Sequence, residues 1–249
     1  HEEHKVVGVI GPLISAEAEA VAAEAEDLGL PLVMMTQQAG LAANRANVFN
    51  TWSPPEEQAE KLVEHAMGRM GLERFAIAYP ETAVSARAAA RFWDRVEENG
   101  GQIVAVESFH SGEKDFRKTG QRIKGTFYVS KPPGEADLVL PFLPNRSKPQ
   151  IVEPQLELVP GVDFQAIFVP TNYKQATMVA PGFLYEEINI GGHLDTKDYP
   201  AVTFMGGAAF NHPGLTERGG KYMEGTVLVD GFFLDAPDGP GREFADAYQ

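Results

Sequence analysis

Apolar residues along the chain come in short runs separated by amphipathic stretches, and the alternation repeats. Val6-Val7-Gly8-Val9-Ile10 is β-branched and nearly all apolar, the pattern of a parallel strand covered on both faces. Gly11-Pro12 ends it. Ser15 stands where it can cap the alanine-rich segment behind it, in which Ala20, Val21, Ala25 and Leu28 give a helical stripe and Gly29 supplies the stop. Leu30 to Met35 reads as the next strand. Ser53-Pro54-Pro55-Glu56 has the spacing of a capping box with proline at the first helical position, and Ala59, Leu62, Val63, Ala66 and Met70 line one face behind it, closed by Gly71.

Phe75 to Tyr79 predicts a strand, Ala86, Ala89, Phe92, Trp93 and Val96 a helical face ending at Gly100-Gly101, and Ile103 to Val106 a further strand. From Gly112 to Gly161 the pattern loosens around Pro132, Pro133, Pro141, Pro144, Pro149 and Pro154, and mostly loop is expected there. Order returns with the strand Phe164 to Pro170 and a helix carrying Ala176, Val179, Ala180 and Leu184. Ala201 to Gly207 and Gly225 to Phe233 read as two more strands. Strands alternating with helices predict an α/β fold with parallel sheets flanked by helices.

Composition narrows the function classes. The 249 residues carry 21 Lys plus Arg against 35 Asp plus Glu, a formal charge of −14, which opposes nucleic acid and anionic membranes as partners. With no cysteine, disulfides, thiolate metal sites and cysteine nucleophiles are excluded. No apolar run reaches the ~18 residues of a membrane span. Neither a Gly-x-Ser-x-Gly elbow, a phosphate-binding loop, a dinucleotide glycine fingerprint nor a His-Glu-x-x-His motif occurs, so no catalytic residue, cofactor or metal site is assigned. His1 and His4 read as chain-end residues, and His65, His110, His193 and His212 are unpaired in sequence. Asp195, Lys197 and Asp198 read as a solvated loop.

Several segments, in order, resemble the type I periplasmic binding proteins, the leucine/isoleucine/valine-binding family and its relatives. Val6 to Ser15 is similar to that family's strand and helix start in the first lobe, and Gly29-Leu30-Pro31 to the step into its next strand. Phe49 to Glu60 resembles the crossover into the second lobe, Glu73 to Tyr79 that lobe's opening strand, Lys114-Asp115-Phe116 a family motif, and Tyr222 to Phe233 the return crossover. Asp163 to Pro170 and Gly206 to Pro213 look like the branch of lipoproteins known as penicillin-binding protein activators.

The resemblance implies a first lobe from residues 1–51 and 232–249, and a second lobe from 52–231 that includes the crossovers. It also implies a first lobe that is incomplete here, because family members carry further strands and helices ahead of the segment matching Val6 to Pro12. Phe49 to Pro55 and Gly225 to Phe233 are then expected to run side by side. The implied function is a non-catalytic, periplasmic or otherwise extracytoplasmic protein that holds a small polar solute between two lobes, for uptake through the membrane component of an ABC transporter or for sensing. The alternative is an interaction platform on a peptidoglycan synthase, as in the activator branch, with a lipid anchor outside these residues.

Seven residues follow strand ends and are the expected ligand contacts: Ser15, Gln37, Gln38, Tyr79, Thr171, Asn172 and Asn211. Five of them have a plainer reading. Ser15 and Asn211 fit as caps, Gln37 and Gln38 as a solvated loop, and Tyr79 as a core residue with its hydroxyl at the edge. Tyr79-Pro80-Glu81-Thr82 departs from the tyrosine-and-glycine loop of the amino-acid receptors, which argues for a different ligand.

Overall fold

A computed structural model describes residues 5–36, 38, 40–129, 161–192, 199–231, 233 and 240–248. The chain divides into two compact units, one formed by His1–Glu57 with Asp230–Gln249 and the other by Gln58–Val229.

In the first unit, β1 (Val9–Ile10), β2 (Leu32–Met34) and β3 (Val48–Asn50) form a three-stranded parallel sheet in that order. Helix α1 (Ser15–Asp27) buries Ala18, Ala22 and Ala25 against Leu32, Met34, Leu41 and Val48. The face chosen differs from the expected stripe: Ala20 and Leu28 are exposed. Alanine at six of the positions from Ala16 to Ala25 offers the helix more than one apolar face, and the fit against β2 and β3 selects among them. Arg45 holds the connection to the helix, pairing with Glu19 at 2.6 Å and Glu26 at 3.2 Å and donating to the Leu41 carbonyl at 2.8 Å. Gly29 ends the helix at φ +64, a backbone conformation that costs other residues strain.

The second unit holds a five-stranded, all-parallel sheet in the order β5-β4-β6-β7-β8. Its strands are β4 (Arg74–Pro80), β5 (Gln102–Phe109), β6 (Ala166–Phe168), β7 (Thr203–Gly206) and β8 (Val227–Leu228). Side chains alternate between faces, so Phe75, Ile77 and Tyr79 join one core and Ala76 and Ala78 the other. Helices α2 (Pro55–Gly68) and α3 (Ala83–Glu98) cover the first face, burying Leu62, Val63, Ala89 and Phe92. The Phe92 ring stacks on Phe168 with centroids 4.5 Å apart and meets Phe75 edge-on at 5.6 Å. The opposite face takes α6 (Tyr173–Tyr185) and α7 (Pro213–Gly219) through Ala176, Val179, Phe183 and Leu215. Burial on both faces is why β4 reads as an unbroken apolar run.

Part of the segment expected to be loop is helical: α4 (Arg117–Lys124) and α5 (Thr126–Val129) follow β5. Helix α4 buries only Thr119, Gly120 and Ile123, too little apolar surface to leave a periodic signature. Gly120 admits Glu186 and Phe183, which a β-carbon would meet at 3.1 and 3.4 Å. The six prolines lie outside the described residues, as do His1, His4, His193, Asp195, Lys197 and Asp198. The last helix, α8, spans Pro240–Tyr248. No helix among the described residues is long and apolar enough to cross a membrane.

Candidate functional site

Because every strand pairing in the second unit is parallel, all carboxyl ends lie along one edge of its sheet, where α/β proteins form ligand crevices. The loops leaving that edge are tied to one another by side chains. Thr171 donates its hydroxyl to Gln175 Oε1 at 2.5 Å, and Gln175 Nε2 donates to the Ser111 carbonyl at 3.1 Å, linking the loops after β6 and β5. Ser85, at the start of α3, donates to the Pro170 carbonyl at 2.9 Å. Gln58 Oε1 accepts the Ala208 N–H at 2.8 Å, which fixes the loop after β7. Gly207 makes room for that amide: a β-carbon there would stand 2.5 Å from Gln58 Oε1.

Four of the expected contacts stand on this edge. Tyr79 is the penultimate residue of β4 and its ring is buried in the core under α2 and α3. Burial, and then the negative charges of Glu81 and Glu107, push its phenol above its ordinary pKa, so it is a neutral group. Thr171 is buried within the Gln175 network. Asn172 is exposed and caps α6, its Oδ1 accepting the Gln175 N–H at 3.1 Å. Asn211 is exposed, at the end of the 3-10 turn Ala208–Phe210. Beside it, the His212 ring stacks flat on Tyr173 with centroids 3.8 Å apart while its Nδ1 accepts the Gly214 N–H at 2.9 Å. Near the start of α4, Asp115 grips Arg117 through both carboxylate oxygens, and that guanidinium, helped by the Arg117 backbone N–H, holds the Asp115 carboxyl at a pKa of about 2.

The other three expected contacts belong to the first unit. Ser15 is the first residue of α1 and not its cap, a position taken by Ile14. Gln38 is half-buried, its backbone N–H donating to Thr36 Oγ1 at 3.2 Å. Gln37 lies outside the described residues.

Sequence reasoning missed Asn50. At the carboxyl end of β3, it lines a cavity of about 470 Å³ together with Thr51, Trp52, Ser53 and Glu57. Its Oδ1 is buried and accepts no hydrogen bond among the described residues. Thr51 closes the strand pair beyond it, its hydroxyl donating to the Met34 carbonyl at 2.9 Å. Phe49 to Glu60 matched a crossover, and a three-residue strand with one polar end left no alternation to read. Gln58, Ser85 and Gln175, polar residues in helices, and Ser111, in the turn after β5, carry no sequence signal either, since each has a partner distant in the chain. A hollow of about 420 Å³ elsewhere in the second unit contrasts with the cavity at Asn50: its Lys124 pairs with Glu187, and its Gln121 donates to Glu186 at 3.1 Å. No cluster of three or more metal-ligating side chains occurs among the described residues.

A family model described as periplasmic binding protein matches residues 1–131. The chain belongs to the periplasmic binding protein family. Solved structures place its fold with the type I, leucine/isoleucine/valine-binding members of that family. The leucine-binding protein LivK of Thermotoga maritima superposes with a TM-score of 0.59 at 19% identity, over 99% of this chain and 57% of its own. LivJ of Streptococcus pneumoniae, solved with isoleucine, gives 0.57 at 20% identity over 99% and 57%. A solute-binding protein of an ABC transporter from Rhodopseudomonas palustris, solved with p-hydroxybenzoic acid, gives 0.59 at 17% over 98% and 54%. The chain therefore spans little more than half the length of these family members. No curated protein sequence matches it.

Proposed function

We propose that the protein is a non-catalytic, extracytoplasmic solute-binding protein that takes a small polar ligand at the carboxyl ends of its parallel strands and serves ABC-type uptake or sensing. The observation that carries the reading is Asn50. A buried acceptor left unpaired costs about 1–3 kcal/mol, and a ligand N–H or O–H entering the adjacent cavity would recover it. Tyr79, Thr171, Asn172, Asn211, Ser15, Gln37 and Gln38 are the further contacts proposed, from their positions at or beyond strand ends. The cross-tied loops of the second unit support the same reading, because a rigid edge loses little entropy on binding. The ligands of the solved relatives, isoleucine and p-hydroxybenzoic acid, set the class of probe: small molecules bearing a carboxylate and a second polar group or ring.

Native mass spectrometry at low salt tests this on protein purified without refolding. A small-molecule adduct that disappears in Asn50→Leu, or an equivalent loss of thermal stabilisation by isoleucine or p-hydroxybenzoate, is the expected result. A bare polypeptide mass, with no shift from either probe, would reject ligand binding and favour the interaction-platform reading.

A further inference from the structure

The cavity of about 470 Å³ at Asn50 is lined by residues of the first unit, and the charge of its lining has one sign. Glu57 supplies a carboxylate, and no lysine, arginine or histidine lines the cavity among the described residues. The hydroxyls beside it have their hydrogens committed: Thr51 donates to the Met34 carbonyl at 2.9 Å and Ser53 to Glu57 Oε2 at 3.5 Å. Their oxygens keep lone pairs for a further donor. With the buried Asn50 Oδ1, the walls therefore offer mainly acceptors. Trp52, 41% exposed, adds an aromatic ring, and the short side chains of Ala42 and Ala43 leave room for an alkyl chain.

The start of α2 does not reverse that sign. A helix N-terminus ordinarily attracts anions through its free N–H groups and its dipole. Here Pro54 and Pro55 have no N–H to give, and Glu56 and Glu57, both in the first turn, already offset the positive end. The chain as a whole, at a formal charge of −14, draws cations and repels anions at long range.

We propose that the cavity holds the ammonium group of a small aliphatic primary amine, with Asn50 Oδ1 accepting an N–H, Glu57 balancing the charge and Trp52 as the aromatic partner of the cation. The inference rests on the reading of Asn50 as a ligand contact and adds the class of ligand. An ammonium is all donor and matches a wall of acceptors, whereas a carboxylate there would face Glu57 and leave Asn50 Oδ1 unpaired. A carboxylate on the ligand is dispensable in this arrangement. Glu57 and Trp52 are then specificity-determining residues.

Calorimetry on the full chain with three probes of one carbon skeleton tests this: isoleucine, 2-methylbutylamine, which lacks its carboxylate, and 3-methylpentanoate, which lacks its amine. Isoleucine and 2-methylbutylamine are expected to bind and 3-methylpentanoate is not. Glu57→Gln should weaken both amines at least ~10-fold, and Trp52→Leu ~3-fold. Both side chains are exposed, and an unfolding midpoint near wild type for each variant checks that it folds. Binding of 3-methylpentanoate as tight as that of the amine, undiminished amine binding in Glu57→Gln, or no amine binding at all would overturn the inference. A co-purified adduct that is lost in Asn50→Leu would still stand in any of these cases, so the cation can fail while Asn50 remains a ligand contact.

Discussion

The hydroxyl of Thr171 donates to Oε1 of Gln175 at 2.5 Å, one helical turn ahead, and both residues are buried. Gln175 has no polar atom to spare: its Nε2 is committed to Ser111, and its backbone N–H to Asn172 Oδ1. A glutamine so placed acts as a clamp between loops.

Gln175→Leu keeps the volume and removes the clamp. The Thr171 hydroxyl and the Ser111 carbonyl lose this partner together, and a loss of about 1–3 kcal/mol is expected in urea unfolding of the full chain. Hydrogen exchange should rise in the loops after β5 and β6 and not in the β4 interior. An unchanged midpoint would mean that the clamp adds nothing to stability.

Gly206→Ala tests the loop after β7. Gly206 ends that strand beneath the fully buried Phe210, and a β-carbon there would lie 2.2 Å from the ring. Overpacking of this kind costs about 1–3 kcal/mol and should displace Phe210, carrying Asn211 with it. The Phe210 ring resonances and the melting temperature should both move.

Asn172 separates a cap from a ligand contact. Asn172→Ala removes the bond to the Gln175 N–H and should cost about 0.5–2 kcal/mol, whereas Asn172→Asp keeps an equally good cap. If Asn172 also meets an anionic solute, the aspartate variant melts like wild type and loses affinity in calorimetry. Equal affinity in the two proteins would leave Asn172 as a cap alone.

The Asp115–Arg117 pair sets a pH dependence. The Asp115 carboxyl is depressed to about 2 from an ordinary 3.8, so the ionised form is favoured in the folded chain. Its contribution is complete above pH 3.8 and is lost as the pH falls towards 2. A carboxyl NMR titration should give a midpoint near 2, moving back towards the ordinary value in Arg117→Gln. A midpoint that does not move on that substitution would show that the guanidinium is not the cause.

Much of the fold was legible along the chain. The run Phe75 to Tyr79 announced a strand buried on both faces, and Ala59, Leu62, Val63 and Ala66 form the buried face of α2 as their spacing implied. Met70, expected on that face, is exposed beyond the last turn of the helix. The second-unit positions at strand ends were legible for the same reason, since a parallel strand sends the residues after its last apolar position to one edge. Helix α4 was not, because a segment as polar as Arg117–Lys124 folds only against Phe183 and its neighbours.

The sequence by itself determined the alternation of strands and helices, hence the parallel sheets, and the family to which the chain belongs, because local periodicity and ordered motifs are properties of neighbours along the chain. Only the tertiary structure decided which face α1 buries, that the Asn50 oxygen beside a cavity is unpaired among the described residues, and that Gln175 joins loops 64 residues apart. Those facts depend on where distant segments come to lie. An amide is equally at home in solvent, a cap or a clamp, and packing selects among them.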